Sequence, residues 1–199
     1  MTLGRYVIVQ GECLEIMKGM ESDSVDCIIT DPPYAGFGFT EENYFELFVL
    51  FAREMARLAN GSEKRIAVSQ PRMRLPGLAE MFAATSVVRI PDAFADSRGE
   101  AAFFLLVNAL TLENQEPEQW ANIPDSIHPN HRDVNKMAVV VKMMTKPGDT
   151  VLDPFCGSAA IGLAAVLLGR DFIGVELGEE RAEDAENRLQ ALGASRLEI

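Results

Sequence analysis

Short β-branched runs alternate along this chain with stretches whose apolar residues recur every three or four positions. Strands joined one by one through helices imply a mostly parallel sheet with helices on both faces, an α/β fold. Tyr6–Val9 reads as a buried strand, Cys13–Gly19 as a short helix, and Val25–Thr30 as a strand stopped by Pro32 and Pro33. Thr40 looks like the cap of a helix whose Tyr44, Leu47, Phe48, Phe51, Met55 and Leu58 share one face, ended by Asn60-Gly61. Arg65–Ser69, Ser86–Ile90 and Ala101–Val107 are strand candidates, with Leu75–Ala84 helical between the first two. Val134–Met144, Ala159–Leu168 and Glu179–Leu192 read as helices around the strands Thr150–Leu152 and Phe172–Val175. No repeat or linker divides the pattern, so residues 1–199 are expected to form a single domain.

Composition narrows the partners. With 48% hydrophobic residues and 24% charged, the chain can bury a core, and bulk disorder is excluded. No run approaches the roughly 18 unbroken apolar residues of a membrane span, and Met1–Gln10 lacks the pattern of a signal peptide. Three scattered cysteines, Cys13, Cys27 and Cys156, suggest a reducing compartment, hence the cytoplasm. Two histidines and no Cys-x-x-Cys pair speak against a metal site. The net charge of −12 argues, on average, against a nucleic-acid partner. Against that average stands Lys64–Arg74, where Lys64, Arg65, Arg72 and Arg74 occur with no acid among them. That stretch is either a solvated edge or a phosphate-facing patch beside the strand that leads to Asp31.

In open α/β sheets ligands sit at the carboxyl ends of strands, and two such ends carry chemistry here. In Val151–Ala159 a strand runs into Asp153, then the small-residue turn Cys156-Gly157-Ser158, then an apolar helix. The next strand ends in Glu176, placed to bind both hydroxyls of a ribose. One glycine and a preceding acid suit a ligand with a ribose and a cationic group better than a dinucleotide. The other end is Thr30-Asp31-Pro32-Pro33-Tyr34. The Asp31 carboxylate and Pro32 carbonyl make a rigid acceptor pair for a planar amine, Pro33 stiffens the turn, and Tyr34 is placed to stack on the ring. Phe37 and Phe39 read as core or lid residues. The plainer alternative is a helix-blocking turn capped by Asp31.

Together the two segments resemble the DNA amino-methyltransferases that use S-adenosyl-L-methionine. Asp31–Tyr34 precedes the Asp153–Ser158 turn, an order similar to the circularly permuted beta group of that family. Val9–Leu14 with Asp23–Thr30, His128–Arg132 and Leu168–Glu176 are similar to further family segments. Departures are Glu12 for the usual Asp, Ala159 for a second glycine, and His131-Arg132-Asp133 for a typical Gln-Lys-Pro. The resemblance implies a Rossmann-like, seven-stranded, permuted methyltransferase sheet. It implies S-adenosyl-L-methionine, with no metal, held by Glu12, Cys13, Asp31, His128, Asp153, Phe155, Cys156, Gly157, Ser158 and Glu176, with Glu12 receiving its adenine. Catalysis would fall to Asp31, Pro32, Pro33 and Tyr34, and the partner would be DNA.

The implied mechanism is direct displacement. The amine of a flipped-out base rests on Asp31 and Pro32 while its nitrogen takes the methyl group, without a cysteine nucleophile. Asp before Pro-Pro-Tyr resembles adenine-N6 enzymes more than cytosine-N4 ones, which remain an alternative. Only Asn108–Ile127 is available where the family carries a target-recognition segment, and it has no Lys or Arg. A short target context is therefore expected, with recognition otherwise coming from a partner or a second copy. A cofactor-binding subunit without its own activity is the non-enzymatic alternative.

Overall fold

The computed structural model describes residues 2–33, 41–59, 65–70, 86–88, 103–107 and 132–198. Its strands are β1 (Tyr6–Gln10), β2 (Cys27–Thr30), β3 (Arg65–Gln70), β4 (Ser86–Val88), β5 (Phe103–Val107), β6 (Thr150–Asp153) and β7 (Asp171–Glu176). The helices are α1 (Cys13–Gly19), α2 (Glu41–Leu58), α3 (Arg132–Met144), α4 (Ala160–Leu167) and α5 (Glu179–Ala191). Among the described residues the seven strands join one sheet in the order β1-β7-β6-β2-β3-β5-β4. β1, β7, β6, β2 and β3 pair in parallel, and β5 runs antiparallel to both β3 and β4.

Side chains alternate across this sheet, as the pleat requires. Tyr6, Cys27, Ile29, Ala67, Val151 and Phe172 face the layer of α3, α4 and α5. Val7, Ile28, Ile66, Leu152 and Ile173 face α1 and α2. α4 is buried almost all round, from Ile161 to Val166. It lies so close to the sheet that a Cβ on Gly162 would stand 2.4 Å from the Phe172 ring. Arg170 closes one end of this layer. It is 5% exposed, and its guanidinium donates to Thr145 Oγ1 at 2.9 Å, the Thr145 carbonyl at 2.7 Å and the Leu168 carbonyl at 2.6 Å.

Element boundaries depart from the sequence reading in a few places. β2 begins at Cys27 rather than Val25, because the Val25 amide turns away to the Leu58 carbonyl. α4 begins at Ala160 rather than Ala159, because Ala159 adopts a left-handed conformation with φ 59°. α3 starts two residues before Val134. The helix expected over Leu75–Ala84, the expected helix cap Thr40, and Asn108–Ile127 lie outside the described residues.

Strand order reverses between β6 and β2. β6 continues through α4 to β7 on one side, while β2 continues through α2 to β3 on the other. A ligand crevice belongs at that switch point, outside the carboxyl ends of the strands.

Candidate active site

The carboxyl ends of β1, β7, β6 and β2 stand side by side. At about 4.8 Å per strand they span ~14 Å. A cleft of about 640 Å³ opens over them, within the range of small-molecule sites. Glu12 and Cys13 line it beyond β1, Glu176 beyond β7, Phe155 and Gly157 beyond β6, and Asp31, Pro32 and Pro33 beyond β2. Residues predicted from two distant strand ends and the first loop thus share one cavity. Phe51 of α2 closes a wall, its ring edge-on to Phe155 with centroids 5.1 Å apart.

The turn after β6 is held from several sides. Asp153 is 2% exposed and accepts from Thr30 Oγ1 at 2.7 Å and from the Phe155 amide at 3.1 Å. Burial, with the charges of Asp31 and Glu176 adding to it, pushes the Asp153 carboxyl up to about 7, although both hydrogen bonds pull it down. The Glu176 carboxylate accepts from the Gly157 amide at 3.0 Å and the Gly178 amide at 2.8 Å. It therefore ties the turn to the start of α5. Gly157 has φ +51° and nothing within 4 Å of where a Cβ would stand. Its missing side chain leaves the space over the turn open.

Glu12 caps α1, accepting from the Glu15 amide at 2.9 Å. Cys13 beside it is pushed up to about 12 by burial and by the Glu12 charge. The thiols of Cys27 and Cys156 are likewise raised by burial. All three cysteines are held protonated at neutral pH, unsuited to act as nucleophiles.

Not every expected residue faces the cleft. Asp153 and Cys156 are buried behind its wall, and Ser158 is not among the lining residues. Arg65 stands at the amino end of β3, paired with Cys27, and donates to the Met143 carbonyl at 3.3 Å. A six-residue strand separates it from the cleft end by about 16 Å, so it does not flank the Asp31 site as expected. Being next to the Asp31 strand in the sheet does not make a residue near Asp31, because a strand has two ends. Tyr34, Lys64, Arg72, Arg74, His128, Phe37 and Phe39 lie outside the described residues.

The sequence reading did not assign Gly11, Phe51, Pro154, Val175, Leu177 or Arg181 to the cleft lining, nor Thr30 to the wall behind it. Thr30 is fully buried, and its signal was a lone hydroxyl ending an apolar strand. Leu177, 70% exposed, and Arg181 line the cleft beside Glu176. Nothing in their local sequence separates them from ordinary surface residues. Among the described residues no group of His, Cys, Asp or Glu gathers as a metal site. Nor, among them, is any helix long and apolar enough to cross a membrane.

Comparisons with known proteins agree with this geometry. Residues 99–187 match the family described as DNA methylase, with the N6/N4 methyltransferase designation. The chain is 25% identical over 204 residues to the putative methylase YubD of Escherichia coli K12, covering 92% of this chain and 90% of that protein. Its fold is similar to a putative DNA modification methylase from Thermus thermophilus solved with S-adenosyl-L-methionine. The TM-score is 0.64 at 20% identity, covering 94% of this chain and 95% of that one. It is also similar to the cytosine-N4-specific PvuII DNA methyltransferase, with a TM-score of 0.61 at 17% identity, covering 94% of this chain and 87% of that one. Part of the sequence, residues 99–187, thus matches the N6/N4 DNA methylase model, and the fold of the chain is similar to that of solved DNA methylases.

Proposed function

We propose that the protein is an S-adenosyl-L-methionine-dependent DNA methyltransferase acting on the exocyclic amine of adenine. The observation that carries this reading is the convergence of Asp31 and Pro32 with Glu12, Gly157 and Glu176 on one cleft. An acceptor pair for an amine and a carboxylate for a ribose have no shared purpose in a purely structural turn.

The residues present fit the cofactor. The cavity volume suits a ligand of its size. Three carboxylates on its lining, Glu12, Asp31 and Glu176, favour a cation, and Gly157 leaves room above the turn. When bound, S-adenosyl-L-methionine supplies an electrophilic methyl group on a sulfonium. Glu176 would hold the ribose. Each of its oxygens already accepts one backbone amide, which fixes the carboxylate, and each keeps a further lone pair for a hydroxyl. Glu12 would meet the adenine, with Cys13 and Phe155 packing nearby. Ser158, Cys156 and the buried Asp153 would act through the turn's shape, and His128 is assigned to the cofactor on resemblance alone.

Asp31 and the Pro32 carbonyl would accept the two hydrogens of the target amine, which helps localise its lone pair on nitrogen. Pro33 would stiffen that pair and Tyr34 would stack on the base. Most of the rate comes from positioning. Asp before Pro-Pro-Tyr favours adenine over cytosine.

The sheet also supports reading the chain as circularly permuted. The Tyr6 amide donates to the Ser195 carbonyl at 3.0 Å, and the Leu197 amide donates to the Tyr6 carbonyl at 2.6 Å. β7, α5 and β1 therefore sit together although α5 and β1 are far apart in sequence. The partner is DNA, and the place of action is the cytoplasm of a bacterium or of a phage's host. A second copy or a recognition subunit would complement the short stretch Asn108–Ile127, with Arg72 and Arg74, which follow the cleft end of β3, as phosphate candidates.

Incubation with methyl-labelled cofactor and plasmid DNA, followed by nucleoside chromatography, tests the reading. N6-methyladenine is the expected product. N4-methylcytosine alone would overturn the adenine assignment, and no labelled nucleoside at all would favour a cofactor-binding subunit.

A further inference from the structure

The turn between β6 and α4 contains a conformation its sequence does not favour. Ala159 sits at φ 59°, ψ 42°, fully buried, and caps α4 with no side-chain hydrogen bond. A residue with a Cβ is strained in the left-handed region, and such strain persists only where the surroundings over-determine it. The Ser158–Ala159 peptide is held at both of its polar ends. Its N–H donates to the Cys156 carbonyl at 2.7 Å. Its C=O accepts from the guanidinium of Arg188, thirty residues later on α5. Rotation of this peptide plane would break both bonds at once.

We propose that Arg188 is a positioning residue for the cofactor: it clamps the Ser158–Ala159 peptide from α5 and so keeps the Gly157–Ser158 backbone in the shape the ligand meets. This rests on the reading of the cleft as a cofactor site. The Glu176 carboxylate holds the Gly157 amide on one side of the turn, and Arg188 holds the Ser158 carbonyl on the other. α5 thus carries a clamp on the turn besides its apolar stripe of Ala182, Ala185 and Leu189. A partly buried charge-assisted bond to a carbonyl is of the strength needed to oppose the strain at Ala159. Arginine also has the length and planar fork for it.

The test measures cofactor affinity by calorimetry in Arg188→Met and Arg188→Lys, each made with Ala159 and with Ala159→Gly. Arg188→Met is expected to weaken binding about tenfold with little change in turnover at saturation, and Arg188→Lys to restore part of it. With glycine at 159 the strain is gone, so Arg188→Met should then cost less than about threefold. Unchanged affinity in Arg188→Met, or the same loss in both backgrounds, overturns the proposal. Hydrogen exchange of the cofactor-free protein supplies an independent readout. The Ala159 amide should exchange about tenfold faster in Arg188→Met while the β7 amides do not change. If wild-type protein binds no cofactor but this exchange effect appears, the functional reading fails and the clamp stands. If the exchange is unchanged, the clamp fails.

Discussion

At the scale of single residues, two aspartates one strand apart have opposite situations. Asp31 is exposed at the cleft, and Asp153 is buried behind it. Asp31→Ala is expected to lower methyl transfer at saturating cofactor about a hundredfold, or about 2.7 kcal/mol, and to weaken cofactor affinity by calorimetry far less, because it removes one of three cleft carboxylates. Equal loss of both would make Asp31 a structural residue. Asp153 behaves differently because its carboxyl is raised from an ordinary 3.8 to about 7. The folded protein then keeps a proton that the unfolded chain gives up. That stabilisation is fully present below about pH 4 and is lost as pH rises through about 7. Denaturant melts between pH 4 and 9 should show stability falling from about pH 4 to about 7 and levelling off above that, by a few kcal/mol at most. Asp153→Asn should flatten the fall, and an unflattened profile would assign the titration to another group. The motif made Asp153 and Glu176 legible as a pair. It did not reveal that one is buried against Thr30 while the other ties two backbone amides, since that depends on which strand lies beside each.

At the scale of elements, the described strands and helices followed from periodicity because a residue's burial partner is set by its face. The exceptions arose where backbone geometry overrode pattern. Ala159 belongs to the apolar run of α4 by composition and leaves the helix by its dihedral angle. Arg170 lies at a junction that periodicity cannot see. It reads as a surface residue before β7, yet its guanidinium satisfies two buried carbonyls and a hydroxyl at the end of α3 and of α4. Arg170→Met should orphan those groups and cost about 3 kcal/mol or more. For a chain of this length that lowers Tm by roughly 6–12 °C, measurable by scanning calorimetry. A shift under about 2 °C would show that water replaces the guanidinium without loss.

At the scale of the whole molecule, the parallel sheet decides what is near what. It gathers the carboxyl ends of β1, β7, β6 and β2 into one cleft and puts Arg65 at the opposite, amino end of the strands. Arg65→Ala is therefore expected to leave the salt dependence of DNA binding unchanged. A flatter slope would show that Arg65 touches phosphate. The sheet also brings β1 against residues 195–197. A relinked chain, with a short glycine-rich join after residue 198 to residue 2 and new ends opened between β5 and α3, should fold cooperatively. It should bind cofactor within about threefold of the parent. Loss of cooperative unfolding would show that the present order of segments is needed for the fold.

The sequence by itself determined the α/β class and the two chemically marked strand ends, because periodicity and turn residues act over a few positions and need no distant partner. It also carried the likeness to amino-methyltransferases, since the motifs are short and contiguous. Tertiary structure alone decided that Asp153 is buried, that Thr30, Leu177 and Arg181 join the site, that Arg65 does not, and that Arg188 reaches the Ser158 carbonyl. Each of these depends on contacts between segments whose separation along the chain says nothing of their distance in space.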